Sequence, residues 1–586
     1  MTRDVAGDPP VRPGLLARVF RSPFEVLCGA FFDRFFASES VTSDVQLRQT
    51  LIWVLAFLLT PGLLLLLQLF PQYAYIVIRA KRFHNYEIVD DMLEWIAGVF
   101  VVYSMVTVGL ATVFVWEALS FDHRDAMVLG PLPLRRRTIV AAKLLALAAF
   151  LLAAALPMNL LNAFFFALET GDQLGGRTLV ANFVALFTAT LMAATFVFAA
   201  LVTLRGALGL VAGPTLAEAC GSLLQFVFVV ALLAFVILSP GVWKIPSAVL
   251  NNPATTGWLP PSWFLGLFER LRGSTRAYFM PLGIRALVAT PIAIGGAVLV
   301  SMLGFHRQAQ FALNRPTAGD RTGLERLMRW IARALAGRDP VAQATSDFVL
   351  LTVSRNGSQH TPIAMNAAVG VAIALAGLTR SKTIAGLMQP RTIVLWIPLL
   401  VGYWMTIGVR AAAFVPSELS AAWPFRFAAA ATTRAYWAGT RAAMLAIVVP
   451  PTVLTALGIV APLLGWRMAV WHAGFVGLVL VALVELVMLT MTHIPFTQSY
   501  RPGHAKLRTR WPLYALGMYA CAYWPVRFEL WQMNGDSSLL FGAILACAVG
   551  FHLAGRHAAL KWSVEPLDES EDSWQLTALN VDRARA

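Results

Sequence analysis

The chain has 586 residues, of which 58% are hydrophobic and only 13% charged, and it carries a net charge of +15. So little charge over such a length excludes a soluble enzyme or binding module and points to a polytopic membrane protein. The basic excess has no domain of its own, which excludes nucleic acid as a partner. A membrane-crossing helix needs about 20 largely apolar residues. Twelve runs qualify, at about 50–70, 94–118, 144–168, 179–204, 220–240, 284–304, 362–379, 392–409, 442–463, 470–492, 511–526 and 538–555.

Residues 1–49 are polar and proline-containing, without the compact apolar core and cleavage site of a secretory signal, and read as cytoplasmic. Leu15, Leu16, Val19 and Phe20 lie near Arg18 and Arg21, a pattern that predicts a helix lying on the membrane surface. Residues 50–304 form a first six-span half. Residues 305–361 are a cytoplasmic linker containing GLERLMRWIARALAG, Gly323–Gly337. There Leu324, Leu327, Met328, Ile331 and Leu335 recur at helical spacing opposite Arg326, Arg329 and Arg333, which predicts a basic amphipathic helix in the membrane interface. Residues 362–555 form a second six-span half, and 556–586 a cytoplasmic tail. The expected fold class is all-α: about twelve transmembrane helices in two six-helix halves, with interfacial amphipathic helices.

Lysine and arginine stay on the cytoplasmic side of a membrane. With the N-terminus inside and twelve alternating spans, the cytoplasmic segments hold 32 of the 46 Lys and Arg residues, so both ends are placed in the cytoplasm. The halves echo each other. Spans three and nine follow a basic residue, Lys143 and Arg441, and carry proline, Pro157 and Pro450-Pro451. This implies an internal duplication, an arrangement that suits alternating access. Between spans five and six, Val242–Phe279 is rich in Trp, Phe and Pro and predicts short helices at the outer interface. The four cysteines form no CxxC pair and the nine histidines have no ligand spacing, so neither a disulfide framework nor a metal is expected.

Between spans two and three lies FDHRDAMVLGPLPLRRR, Phe121–Arg137. Asp122 suits an N-cap and Asp125 can complete a capping box. Gly130 suits a C-cap, and Pro131 and Pro133 block continuation. The result is a helix of about seven residues, roughly 10 Å long, too short to span. Met127, Val128 and Leu129 could fill a groove while Asp122, Arg124 and Asp125 make polar contacts. Arg135, Arg136, Arg137 and Lys143 would hold the chain at the headgroups as the third span begins.

The run from FDHRD through LGPLPLRRRTIVAAK resembles the loop between the second and third spans of ABC-2-type exporter permeases. The matching positions are Asp122, Arg124, Asp125, Leu129, Pro131, Leu132, Pro133, Arg135 and Lys143. The resemblance implies that the segment is a coupling helix docked on a cytosolic ABC ATPase subunit, in the cytoplasmic membrane. That family usually has six spans per subunit, against twelve here. The equivalent loop of the second half, Phe414–Arg441, offers Glu418, Trp423 and Arg426 as a second docking surface. No G-x-x-x-x-G-K-[ST] run occurs, so the chain itself binds no cofactor and ATP belongs on the partner subunit. A homodimer or a further permease subunit could complete the pore.

Two other classes compete. A major-facilitator-like carrier also has six plus six spans, but its charged loop resembles G-x-x-x-D-R-x-G-R-R, and it places carboxylates within spans; here Glu485 is the one acid read as lying inside a span, on a possible transport path. A lipid-linked glycosyltransferase would use an acidic pair in the first outer loop, where EIVDDMLEW supplies Asp90 and Asp91. Two solvated acids at the start of span two explain that pair as well.

Overall fold

The computed structural model describes residues 23–36, 44–85, 87–119, 121, 129, 133–171, 176–211, 213–242, 257–274, 276–313, 323–380, 390–415, 433–491, 493–497, 507–533 and 539–562. Among these residues the regular structure is helical and no strand forms. Apolar runs rich in Ala and Leu make helix the only economical solution, because a backbone in lipid must satisfy its own polar groups. Hydroxyls within the runs are satisfied the same way: Thr112, Thr170, Thr190 and Thr452 each donate to the carbonyl four residues back.

The described chain divides into two compact units, Met1–Ala217 with Ser239–Pro316, and Glu218–Leu238 with Thr317–Ala586. The first contains α1 (Pro23–Phe36), α2 (Asp44–Phe83), α3 (Glu87–Phe114), a 3-10 turn (Trp116–Leu119), α4 (Arg136–Gly171), α5 (Gly176–Val211), the ends of α6 (Gly213–Val242), α7 (Pro260–Arg272) and α8 (Phe279–Leu313). Helix α5 is its centre and touches α3, α4, α7 and α8. Its buried face is small, with Ala185, Ala189, Ala193 and Ala194 fully enclosed, which lets neighbours approach closely. Helix α7 is packed into this bundle: Phe264 and Phe268 are fully buried, and Phe268 meets Phe166 of α4 at 6.0 Å. At Gly266 a Cβ would come within 2.5 Å of Leu282, so α7 and α8 touch backbone to backbone there. The sequence predicts short helices in this region, and α7 is one, packed against α3, α5 and α8.

The second unit contains the middle of α6, then α9 (Gly323–Ala336), α10 (Pro340–Arg355), α11 (Gly357–Arg380), α12 (Pro390–Ala413), α13 (Thr433–Leu464), α14 (Trp466–Met488), α15 (Leu507–Met518), a π turn (Tyr519–Tyr523), α16 (Trp524–Met533) and α17 (Leu539–Ala558). Gln225 of α6 accepts from Thr361 of α11 at 3.2 Å. Gly439 lets α13 lie against α10, since a Cβ there would sit 2.3 Å from the Ala342 carbonyl. The two units repeat four packing pairs. α1 lies on α4 as α9 lies on α13, and α4 lies on α5 as α13 lies on α14. Likewise α3 and α8 lie on α5 as α12 and α17 lie on α14.

Nine helices among the described residues are long and apolar enough to cross a membrane: 87–114, 136–171, 178–211, 279–304, 359–378, 392–413, 433–464, 466–488 and 539–558. The protein is thus an all-helical polytopic membrane protein. Three of the twelve expected runs fall outside that set. Residues 50–70 lie within the 40-residue helix α2, most of whose first half falls outside the described side chains. In α6 the apolar described part is Cys220–Phe235. The eleventh run lies in helix that continues from Leu507 to Met533 through a π turn: Pro525 has no N–H for the carbonyl four residues back, and the ladder shifts, with the Trp524 N–H donating to Tyr519.

Candidate functional site

The loop between α3 and α4 is rooted in protein. Trp116, Leu119 and Phe121 are all buried, and the guanidinium of Arg205, on α5, lies 5.7 Å over the Trp116 ring. Lys143, two turns into α4, is 1% exposed. Its Nζ lies 4.9, 5.5 and 5.7 Å from the ring centroids of Phe31, Phe35 and Phe121. Phe31 and Phe35 come from α1, and Phe31 meets Phe121 edge-on at 6.0 Å. A cation over aromatic faces is held by the ring quadrupole, most strongly when desolvated. Lys143 therefore does not reach the headgroups as its sequence position implied: α1 covers it, and Arg135, Arg136 and Arg137 alone remain exposed. Pro133 is exposed and Leu129 half-buried, while Asp122, Arg124, Asp125, Pro131 and Leu132 lie outside the described residues. The surface-helix residues Leu15 to Arg21 lie outside them too; the described helix α1 starts at Pro23.

In the second unit Glu418, Trp423 and Arg426 also lie outside the described residues. The root of their loop is Phe414, with the guanidinium of Arg410, from the preceding helix, 5.0 Å over its ring. Arg410 also donates to Thr490 at 2.8 Å and to the Tyr514 hydroxyl at 3.0 Å. Arg441, near the position that Lys143 holds in α4, makes an ion pair with Glu485 of α14 instead. His552 of α17 approaches the same Oε1 at 3.2 Å, and its ring lies 5.2 Å from Trp437. Glu485 is 1% exposed and enclosed by protein, and its Oε2 has no hydrogen-bond partner among the described residues.

Glu485 is not the only enclosed acid. Glu529 of α16 and His472 of α14 form a fully buried pair, with Nδ1 2.8 and 3.0 Å from the two carboxylate oxygens. The sequence hid Glu529 because the eleventh run was ended at 526, before α16 finishes. Glu94 of α3 is also buried and pairs with Arg276. It belongs to a larger network: Arg276 reaches Asp91 at 3.0 Å, Arg272 reaches Asp90 at 2.6 Å, and Glu269 lies 3.8 Å from Arg272. Asp90 and Asp91 thus remain exposed to solvent while pairing with Arg272 and Arg276. Burial pushes the Glu269 carboxyl up, with Arg272 and Arg276 pulling against it.

The linker stretch forms α9, as its periodicity predicts, but its arginines do not all share the polar face. Arg329 turns into the protein and, with Arg333, grips Asp347 of α10, at 2.7 Å from Arg329. Burial works to raise the Asp347 carboxyl, yet hydrogen bonds from Arg329 and Arg333 outweigh it and hold the group below its ordinary value. The face left exposed carries Leu327, Trp330 and Leu335 beside Arg326. α9 is thus packed on α10 and α13 along one side only.

Among the described residues no three His, Cys, Asp or Glu side chains gather to hold a metal, and the four cysteines are free. No family model, no curated protein and no solved structure matches the chain.

Proposed function

We propose that the chain is the membrane permease subunit of an ATP-driven ABC exporter, driven by a separate cytosolic ATPase docked on residues 121–133. It would have twelve spans, both termini in the cytoplasm, in the cytoplasmic membrane, and would bind neither ATP nor metal itself. The observation that carries the reading is the root of the first loop. The exporter-like stretch begins at Phe121, boxed with α1 and with Lys143 at the head of α4, so a pull on the loop is a pull on those helices. The missing phosphate-binding loop is why the ATPase must be a second chain.

Purification from native membranes with partners retained tests this: an ABC ATPase should co-purify. Asp125→Lys puts a like charge against a basic partner surface, which costs several kcal/mol at an interface, and should strip the ATPase while the chain still reaches the membrane. Glu418→Lys should strip less. An Asp125→Lys chain that keeps its ATPase in full sinks the coupling reading. Orientation is checked separately by cysteines at Trp258 and Arg338 in intact cells; labelling of the second but not the first from outside reverses the topology.

A second reading, a proton-coupled secondary carrier, is favoured by three of the buried acids, Glu94, Glu485 and Glu529, the last two of them paired with histidine. Ionisable groups inside membrane helices mark proton and ion paths. A wild-type chain that purifies with no ATPase would select it.

A further inference from the structure

We infer that Lys143 is the joint through which movement of the 121–133 loop enters α4 and α1, as a positioning residue and not a docking one; the inference rests on the exporter reading above. Burying an ammonium is costly, and a site that needed only packing would be served better by Met or Leu. One thing the ammonium adds is a directional attraction to several rings at once. Here those rings come from two other elements. Phe31 and Phe35 belong to α1, and Phe121 is the first residue of the loop. One side chain of α4 therefore clasps the loop root and α1 together. The line of rings continues inward: Phe35 meets Phe150 of α4 at 5.0 Å, and Phe150 meets Phe198 of α5 at 6.2 Å. The Phe121 ring is thus continuous, through Lys143, with the inner contacts of two membrane helices. The matching cation of the second unit, Arg441, shows no such connection among the described residues; it is turned to Glu485.

The test uses the full chain with its co-purified ATPase, in a background where Cys28, Cys220, Cys521 and Cys547 are replaced. Spin labels are placed at Leu152 of α4 and Val288 of α8, both facing outward. Their separation is read with and without ATP and vanadate. Wild type and Lys143→Arg should show a shift. Lys143→Met should keep the wild-type amount of ATPase yet lose at least half the shift. Phe121→Leu, which leaves no charge changed, should do the same and decides the matter if Lys143→Met does not fold. A full shift in both variants overturns the joint, as does equal loss in Lys143→Arg and Lys143→Met, or loss of the ATPase from Lys143→Met. A wild-type chain that retains no ATPase, or shows no shift, is a different result: it removes the exporter reading, and the joint with it.

Discussion

In the first unit Phe121, at the root of its loop, is met by a cation from the helix that follows, Lys143; in the second, Phe414 is met by Arg410 from the helix that precedes it. The cation near the start of the following helix is present in both units, but in α13 it is spent on an interior acid. Four packing pairs repeat between the units, so the scaffold is shared while the wiring of the loop is not. An aromatic clasp joins three elements through rings that carry no charge of their own. An ion pair joins helix to helix and is costly to break. The first unit thus ties its loop root to α4 and α1, and the second ties α13 to α14 and α17.

The largest effect should come from breaking the ion pair. Arg441→Met leaves Glu485 buried with His552 alone among the described residues, and stranding one partner of a buried pair costs about 3–5 kcal/mol. The unfolding midpoint in detergent should fall well below wild type. Replacing both residues, Arg441→Met with Glu485→Leu, should recover most of the loss, because no charge is then left stranded. If the double variant is no better than the single, the ion pair is not what Arg441 provides.

Lys143→Met should cost far less. The rings stay packed around an apolar chain of similar length, and the cation–π attraction that is lost is worth roughly 2 kcal/mol. The methionine also relieves the burial of an ammonium, so the drop in midpoint should be less than half that of Arg441→Met. An equal drop would mean that Lys143 is an anchor of the same kind as Arg441, and the contrast between the units would vanish.

Much of the scaffold was legible in the sequence, because lipid forces each span to satisfy itself and so to show itself as an apolar run. The helical stretch Gly323–Ala336 and the enclosure of Glu485 followed from periodicity and from the cost of an exposed charge. What was not legible depends on which helix covers which. Lys143 reads as a headgroup anchor from its place beside three arginines; only the covering by α1 makes it an interior residue. Glu94 and Glu529 stand near the edges of their apolar runs, and α7 and α14 supply the burial. Arg329 belongs to a basic stripe until Asp347, eighteen residues on, folds back against it. The loop residues that resemble an exporter's coupling helix are the opposite case, a local motif whose meaning rests on a partner.

The smallest predicted effect also separates the units, by the sign of a pH dependence. Asp347 in the second unit is held below its ordinary value by Arg329 and Arg333. A carboxyl with a lowered folded value stabilises the fold above its unfolded value, about 3.9, and loses that contribution as pH falls through the lowered folded value. Glu269 in the first unit is pushed up by burial. Its contribution is fully present below its unfolded value, about 4.3, and is lost as pH rises through the raised folded value. Hydrogen exchange across α9 and α7 should therefore move in opposite directions: α9 gains protection as pH rises toward about 3.9, while α7 gives some up as pH rises beyond about 4.3. Arg333 is half exposed, so solvent screens its share of the clamp, and Asp347→Asn should cost α9 at most about 1 kcal/mol. That variant should flatten the pH response of α9 and leave that of α7 intact. A response in α9 that survives Asp347→Asn would place its titrating group elsewhere and detach the linker helix from the Arg329 and Arg333 clamp.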